Sequence, residues 1–408
     1  MLIRMNYYNN LVFSFFITLL LSNNIIASDK YFLKSYINTD DKKSFWLLNN
    51  TGGIDLNEYT IDLLISGKNH RISYQINTFI QEDRYIIGES FIKINFDKSS
   101  FIRLGQYYRD YSLYLNDGLS LGHMLISKNA LPMKKLGYVS KTATNKFLNF
   151  QYGISHGFFD KNTTYTKAPF LHEKFIYLNY SKSHHSFSVG FVHEAMWGGE
   201  IYNKGKQPSS LKDYFKVSIA ADEPIREGQA HANAMGNHLG IWDFNYQLKI
   251  NSNKIKIYHQ HFFEDTSGLR FANGIDGLWG FEFINIDNEK NMLLEYLHTT
   301  NQNNNPPYVN DAYYNHGLYE NGWSFKNKTL GNPYINSKEI IPLNVINIGF
   351  SSHSKNYLNE YKISRMTNIQ DDWNYMVSIK KKISKIIVGL IITNTFDNTT
   401  GFMINLEV

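Results

Sequence analysis

The chain has 408 residues, no cysteine and a formal net charge of +5, from 41 Lys and Arg against 36 Asp and Glu. Without cysteine it has no disulfide, thiol nucleophile or thiolate metal site, and so small a positive excess gives no argument for nucleic acid as a partner. Aromatic residues make up 15% of the chain, with 29 Tyr and 28 Phe, whereas Pro numbers only 8. This composition is typical of a transmembrane β-barrel or of a soluble, secreted all-β protein.

The N-terminus has the pattern of a secretory signal peptide. Arg4 precedes the largely apolar run Leu11–Leu21, and the small residues Ala27 and Ser28 follow. A basic start, a short apolar core and a small-residue end predict cleavage after one of these two residues, because about 11 apolar residues are too few to span the hydrocarbon of a bilayer comfortably. The first 28 residues are therefore predicted to be removed, and residues 29–408 to form one domain.

After the leader, alternating apolar and polar residues predict β-hairpins. They run from Tyr59 to Asn77, from Phe91 to Tyr108 and from Phe244 to Phe262, each through a short polar turn. A period of two gives every strand one apolar and one polar face. No apolar run of the about 18 residues needed for a membrane helix occurs in this part of the chain. Short turns at one end of two-sided strands and long loops at the other predict an outer-membrane barrel with a polar lumen.

The long connections and the C-terminus agree with a barrel. The connections occupy residues 81–88, 116–135, 198–239 and 299–343, and within the third the spacing of Leu211, Tyr214, Phe215 and Ile219 predicts a short helix. The chain ends on an alternating strand, Gly401–Val408. The remaining length predicts on the order of 16 to 20 strands. A soluble sheet protein stays the alternative.

Polar aromatic residues are concentrated between Tyr258 and Pro333. Flat rings can stack on the C–H faces of sugars while short polar groups bind hydroxyls, and aromatic rings offer a large contact area at low entropic cost. The candidate carbohydrate-binding residues are Trp197, Asp265, Arg270, Asp276, Trp279, Asp311, Tyr313, Tyr314, Asn315, Tyr319 and Trp323. Such residues also pack loops or form the aromatic girdle of a barrel, so both roles remain open for each. We place the glycan at residues 311–323 together with 265–279.

A second set of residues combines His with Glu. His259 and His261 share one face of a strand because the side-chain period is two. We expect a hydrogen-bonded network in the lumen that consists of His193, Glu194, His259, His261, Glu295 and His298. A metal site or a carboxylate pair for glycoside hydrolysis is the alternative. However, position 197 is Trp where a zinc-hydrolase motif after His193-Glu194 needs a second His, and no G-x-S-x-G sequence occurs. We predict no catalytic residue, metal or cofactor.

Several long stretches, in order, resemble the Wzi family of capsule-assembly proteins. They are LGQYYRDY, HEAMWGG, FFEDTSGLRFAN, DGLWG, LEYLHTTNQ, DAYYNHGLYENGWS and TLGNP. The resemblance extends over roughly residues 45–408. It implies an outer-membrane barrel of about 18 strands that acts as a lectin-like attachment point for capsular polysaccharide, and it supplies no catalytic residue. Enterobacterial members carry a periplasmic helical bundle, for which the segment after the leader is too short here.

We therefore expect a non-enzymatic outer-membrane protein of a Gram-negative bacterium that binds capsular or exported polysaccharide through its extracellular loops. Binding would use many weak subsites, with avidity along the polymer. Outer-membrane lipid and the polysaccharide export machinery are the other predicted partners. Two alternatives remain: a barrel enzyme that acts on glycan or lipid through the His/Glu set, and a passive, porin-like pore.

Overall fold

The computed structural model describes residues 29–38, 44–56, 59–221, 234–302, 313–369, 373–394 and 400–407. The predicted signal peptide lies outside these ranges. The strands are β1 (Asp29–Asn38), β2 (Thr60–Lys68), β3 (Ile72–Ile80), β4 (Tyr85–Ile87), β5 (Ser90–Asn95), β6 (Ser100–Tyr107), β7 (Met133–Ala143), β8 (Leu148–Phe158), β9 (Tyr165–Lys167), β10 (Phe170–Lys182), β11 (His185–Trp197), β12 (Glu200–Ile201), β13 (Gly205–Lys206), β14 (Asn237–Ile250), β15 (Asn253–Phe263), β16 (Gly277–Asn285), β17 (Lys290–His298), β18 (Ser324–Phe325), β19 (Lys328–Thr329), β20 (Asn344–His353), β21 (Tyr357–Met366), β22 (Asn374–Ile383), β23 (Ile386–Asn394) and β24 (Thr400–Glu407). The helices are α1 (Phe45–Leu48), α2 (Leu211–Ser218) and α3 (Thr266–Leu269).

Eighteen of the strands form one antiparallel sheet that closes on itself. The order around the ring follows the chain: β1, β2, β3, β5, β6, β7, β8, β10, β11, β14, β15, β16, β17, β20, β21, β22, β23 and β24. The last strand pairs back with the first, with Lys34 opposite Glu407 and Asn38 opposite Met403. Closure leaves no open sheet edge, as a structure that spans lipid requires. The predicted barrel of about 18 strands is confirmed.

Short turns connect the strands at one end of the barrel. In the β2–β3 turn, Asn69 Oδ1 accepts hydrogen bonds from the amides of Arg71 and Ile72, at 2.8 and 2.7 Å. In the β5–β6 turn, Asp97 Oδ1 accepts from Ser99 N at 2.7 Å, and the amide and hydroxyl hydrogen bonds there hold the pKa of this carboxyl at about 2. Side chains that bond their own turn backbone favour tight hairpins, so each of these predicted hairpins keeps its register.

The two faces of the barrel differ as predicted. Outward-facing residues in the middle of the strands are exposed and apolar, such as Leu104, Leu136 and Ile176. Inward-facing positions carry buried polar groups, such as Glu173 and Asp243. Apolar side chains on the lipid side and polar ones in the lumen are the arrangement of a transmembrane barrel. In the described part of the chain, no helix combines the length and apolar character that crossing a membrane requires.

Candidate glycan-binding surface and lumen plug

Three segments from the long-loop end of the barrel fold together inside the lumen, and we call them the plug. They are residues 44–56, 108–132 and 313–343. Their interior is apolar and aromatic, and Trp46, Leu121, Met124, Tyr314 and Trp323 are fully buried or nearly so. Segment 44–56 contains α1, whose Trp46 Nε1 donates to Asn374 O on the lumen wall at 3.1 Å. The lumen is therefore filled by chain from three separate parts of the sequence.

Glu295 on β17 attaches the second plug segment to the wall. Its carboxylate accepts from Ser120 Oγ and from Leu121 N, each at 2.7 Å. It also accepts from Tyr258 Oη at 2.5 Å and from Asn347 Nδ2 at 3.1 Å. Because a buried carboxylate is expensive to desolvate unless donors surround it, this cluster fixes both the carboxylate and the loop backbone.

Two further wall carboxylates bind the same plug segment. Asp243 on β14 accepts from Ser112 Oγ and Tyr114 Oη at 2.5 Å each, and from Tyr177 Oη at 2.6 Å. Glu194 on β11 accepts from Tyr111 Oη. These acids are engaged by side chains of the protein itself, which makes them structural anchors in this conformation.

The third plug segment is hydrogen-bonded to the second. Trp323 Nε1 donates to Leu125 O at 2.9 Å, and Tyr314 Oη donates to Met124 O. Ser127 Oγ donates to Gly331 O at 2.7 Å. Tyr and Trp combine a large apolar ring with one polar atom that needs a partner when buried, and here each polar atom finds a plug carbonyl.

Most of the predicted sugar-stacking rings lie in the interior. Tyr313, Tyr314, Tyr319, Trp323 and Trp197 are all buried. Tyr319 Oη donates to Gly198 O at 3.1 Å, and Tyr313 Oη donates to Asp276 Oδ2 at 2.5 Å. In this conformation these five rings hold the loops together and present no open face to a ligand. Trp279 is 38% exposed, and it lies on the outer face of β16, stacked on His259 with ring centroids 3.7 Å apart.

The predicted polar residues are divided between the surface and the interior. Asp265 and Arg270 are exposed in the loop between β15 and β16. Asn315 donates to Asn336 O and Glu339 O at 3.1 Å each. Asp276 is fully buried and binds the imidazole of His298 at 2.7 Å. Asp311 lies outside the described residues.

The predicted lumen network is wrong for its four histidines. Glu194 and Glu295 face the lumen, but His193 shares the outer face of β11 with exposed Phe187, and His259 shares that of β15 with exposed Ile257. His261 follows His259 by two residues on β15, and His298 follows exposed Leu294 by four residues on β17, so both also point outward. Successive side chains of a strand point to opposite faces, so adjacent residues such as His193 and Glu194 cannot line the same lumen.

The outward histidines lie among aromatic rings near the long-loop end. His193 Nε2 is 2.9 Å from His238 Nδ1, and the two rings stack. His261 stacks on Phe271 with ring centroids 4.3 Å apart. Among the residues that the structure describes, no three His, Asp or Glu side chains are arranged to hold a metal ion.

One exposed polar-aromatic surface lies on the loops at the mouth of the barrel, and we call it the rim patch: Tyr202, Lys204 and Glu320. The Tyr202 side chain is 63% exposed, and Lys204 Nζ is 2.6 Å from Glu320 Oε1. Tyr202 was not among the predicted residues. Its place in a hairpin between Gly198-Gly199 and Gly205 was the available signal, because glycines of this kind mark surface turns and loops.

A cavity of about 350 Å³ remains in the lumen beside segment 44–56. Its lining includes acids and bases, among them Asp62, Glu89, Lys128 and Lys362. The Lys362 ammonium lies over the Trp46 ring, 4.2 Å from its centroid, an arrangement that stabilises a cation out of bulk water. The plug therefore leaves a polar void at this side of the lumen.

The solved structures similar to this chain include a porin. A triple mutant of the Rhodopseudomonas blastica porin is 8% identical over 93% of this chain and 98% of its own, at a TM-score of 0.42. A structure described as "Asymmetric conductivity of engineered proteins" is 9% identical over 94% and 99%, also at 0.42. At such TM-scores the assignment of the fold rests on the strand pairing. A search of curated proteins found no match.

The family comparison covers the third plug segment, most of the second, and the wall strands that carry Glu194, Asp243 and Glu295. The sequence profile of "Capsule assembly protein Wzi" matches residues 118–347, more than half of the 408-residue chain. The matched part runs from Gly118 in the second plug segment to Asn347, one of the donors to Glu295. The chain belongs to the Wzi family of capsule assembly proteins.

Proposed function

We propose that this protein binds capsular polysaccharide at the extracellular mouth of an outer-membrane barrel and so attaches the capsule to the cell. Membership of a capsule assembly family supports a role in capsule assembly at the outer membrane. The observation that carries the binding role is the plug. Three chain segments fill the lumen, and buried carboxylates of the wall hold the second of them in place. Such a barrel presents a fixed surface to the outside, and a fixed surface suits attachment of a polymer better than its passage.

The glycan contacts are proposed at exposed residues around this mouth. The Tyr202 ring is free to stack on a sugar face, and the neighbouring Lys204–Glu320 pair offers charged groups to hydroxyls and to acidic substituents. Asp265 and Arg270 from the sequence prediction remain proposed contacts, and Asp311, outside the described residues, stays a prediction from the sequence. Each would contribute weakly, and affinity would come from many repeats of the polymer binding at once. The export machinery would deliver the chain to this surface.

The buried aromatic residues receive a different role in this proposal. Tyr314 and Trp323 bond to plug carbonyls and pack against the second plug segment. They would support the rim from beneath without touching the sugar. Changing them should disturb the plug first and glycan attachment second, which distinguishes them from Tyr202.

An enzyme that uses the His/Glu set has less support. His259 and Glu295 lie on opposite faces of the barrel wall and cannot act on one substrate. Glu295 and Asp243 are each occupied by several donors of the protein itself. A general acid or base must reach the proton that it transfers, and these groups are directed at the plug.

The test uses cells that lack the gene and carry a plasmid copy. Tyr202→Ala combined with Glu320→Ala should lower the cell-attached capsule several-fold, while the same amount of polysaccharide appears in the medium. Tyr202→Phe keeps the ring and should attach capsule normally. Tyr357→Ala is the matched control, because Tyr357 is an exposed tyrosine at the short-turn end of the barrel. Unchanged attachment in the rim double variant, at equal surface expression, would remove the rim patch as the binding surface.

A further inference from the structure

The loop between β11 and β14 carries its helix to the outside of the barrel. Val217 of α2 packs with Ala195, Trp197 and Met235. Ala195 and Trp197 continue the outward face of β11 that begins with exposed Phe187, because the strand alternates without interruption. The helix therefore lies against the wall from the lipid side, and it does not cover the mouth.

Contacts with two neighbouring strands fix this position. The Tyr214 ring meets the His172 ring of β10 edge-on at 5.4 Å and the His156 ring of β8 at 5.8 Å. Lys174 Nζ on β10 donates to Ser218 O at the end of the helix. The start is fixed by a capping box, in which Ser210 and Asp213 bond each other's backbone amides. The helix is thus a defined element that spans three strands of the outer wall.

The opposite side of α2 is apolar and exposed. Leu211 is 73% exposed, Phe215 62% and Ile219, just after the helix, 76%. Residues four apart lie on the same side of a helix, so the three side chains form one line. Exposed Lys212 and half-buried Lys216 lie along one side of that line. A line of large apolar side chains beside two cations is the pattern of a helix that lies in a membrane interface.

The height of the helix on the wall agrees with such an interface. Lys174, which binds the end of α2, lies on β10 two residues nearer the barrel mouth than exposed, lipid-facing Ile176. Two residues of a strand correspond to about 7 Å. The end of α2 therefore lies nearer the mouth than lipid-facing Ile176, the position expected of a helix at the upper border of the apolar band.

We propose that α2 is a lipid-binding helix that rests in the outer leaflet of the membrane, with Leu211, Phe215 and Ile219 among acyl chains. Lys212 and Lys216 lie at the level of the headgroups and bind anionic groups there. The helix would hold the β11–β14 loop, and with it Tyr202, at a fixed height above the bilayer. Lipid binding by α2 does not depend on whether the rim patch binds glycan.

The absence of cysteine from the chain allows a direct test. Phe215→Cys is labelled with a nitroxide and reconstituted in vesicles of phosphatidylcholine with phosphatidylglycerol. Collision with oxygen and with a water-soluble nickel complex is then measured by electron paramagnetic resonance. Phe187→Cys, on the lipid face of β11, and Lys206→Cys, in the exposed β12–β13 hairpin, are the membrane and water references. A heat-dependent shift in gel mobility verifies that each barrel is folded.

The proposal expects the label at position 215 to match the label at position 187, with high oxygen and low nickel accessibility. A label that matches position 206 would overturn it. A label shielded from both reagents would also overturn it, because a protein surface or another loop would then cover the helix. For the cations, Lys212→Gln with Lys216→Gln should bring the label closer to water in the anionic vesicles and leave it unchanged in phosphatidylcholine alone. An equal effect in both vesicles would contradict headgroup binding.

Discussion

Single buried carboxylates decide how firmly the plug is held. Glu295 accepts four hydrogen bonds, two of them from Ser120 and Leu121 in the plug. Glu295→Ala would leave these donors buried without an acceptor, which costs on the order of 2 kcal/mol or more. We expect the variant to lose its folded gel mobility at a lower temperature than wild type. Glu339→Ala is the control, because that side chain is exposed, and surface substitutions change stability by about 0.5 kcal/mol or less. Equal melting of the two variants would contradict an anchoring role.

A histidine gives the third plug segment a dependence on pH. His316 Nδ1 accepts from the amides of Leu318 and Tyr319 at 3.2 Å each. Burial, with smaller contributions from neighbouring His238 and Lys204, lowers the pKa of His316 to about 4. The unfolded chain, with the ordinary pKa of 6.5, takes up a proton first as the pH falls. This contribution to stability is therefore complete above pH 6.5 and declines between pH 6.5 and 4.

Thermal unfolding at pH 7.5 and pH 5 measures this contribution. His316→Asn keeps an oxygen that can accept from amides two and three residues on, but it does not titrate. The loss of stability from pH 7.5 to pH 5 should be smaller in the variant than in wild type. The same loss in both would mean that His316 does not titrate in this range.

Single residues also mark what the sequence could not decide. Alternation identifies the two faces of each strand, whereas the lumen set, Glu194 and Glu295 with the four histidines, is predicted from residue type. The histidines were assigned to the same side although His193 and Glu194 are neighbours in a strand, which a period of two forbids. For the histidines, residue type predicts the wrong face, because His and Trp form a girdle on the outer face near the loop end. The odd or even position of a residue along its strand predicts the face it points to better than its residue type does.

At the scale of elements, the third plug segment depends on Trp323. Its ring is fully buried, and its indole N–H donates to Leu125 O in the second segment. Trp323→Ala should cost about 3 to 5 kcal/mol and free residues 313–343 from the plug. Added protease should then cut this loop in intact cells at least several-fold faster than in wild type. Tyr202→Ala, which changes an exposed ring, should be cut at the wild-type rate, and equal cleavage of both variants would contradict the packing role.

The elements separate into those that the sequence predicts and those that it does not. The three predicted hairpins correspond to β2–β3, β5–β6 and β14–β15, and the predicted loop helix corresponds to α2. Each is encoded locally, by alternation, turn residues or a capping box. The plug is not encoded locally, because Trp323 and Leu125 are 198 residues apart and no local period links them. Of the predicted sugar-binding rings, Tyr314 and Trp323 are buried because they pack within the plug, and Trp197 is buried beneath α2.

For the whole molecule, the plug predicts little ion conduction. Three segments occupy the lumen, and the described void beside segment 44–56 has a volume of only about 350 Å³. In planar bilayers, the purified barrel should show a single-channel conductance far below that of a general porin. Glu295→Ala, which loosens the plug, should produce larger and flickering openings. Stable porin-like conductance of the wild-type protein would support the passive pore instead.

The most direct measurement for the whole account is equilibrium binding of the purified, folded barrel to the capsular polysaccharide of the same cells. We expect saturable binding that Tyr202→Ala with Glu320→Ala weakens by at least tenfold, while Tyr357→Ala binds like wild type. The loss should be greater for long polymer than for short fragments, because avidity multiplies weak subsites. Absence of binding by the wild-type protein, or equal binding by the rim variant, would contradict attachment of the capsule at this surface.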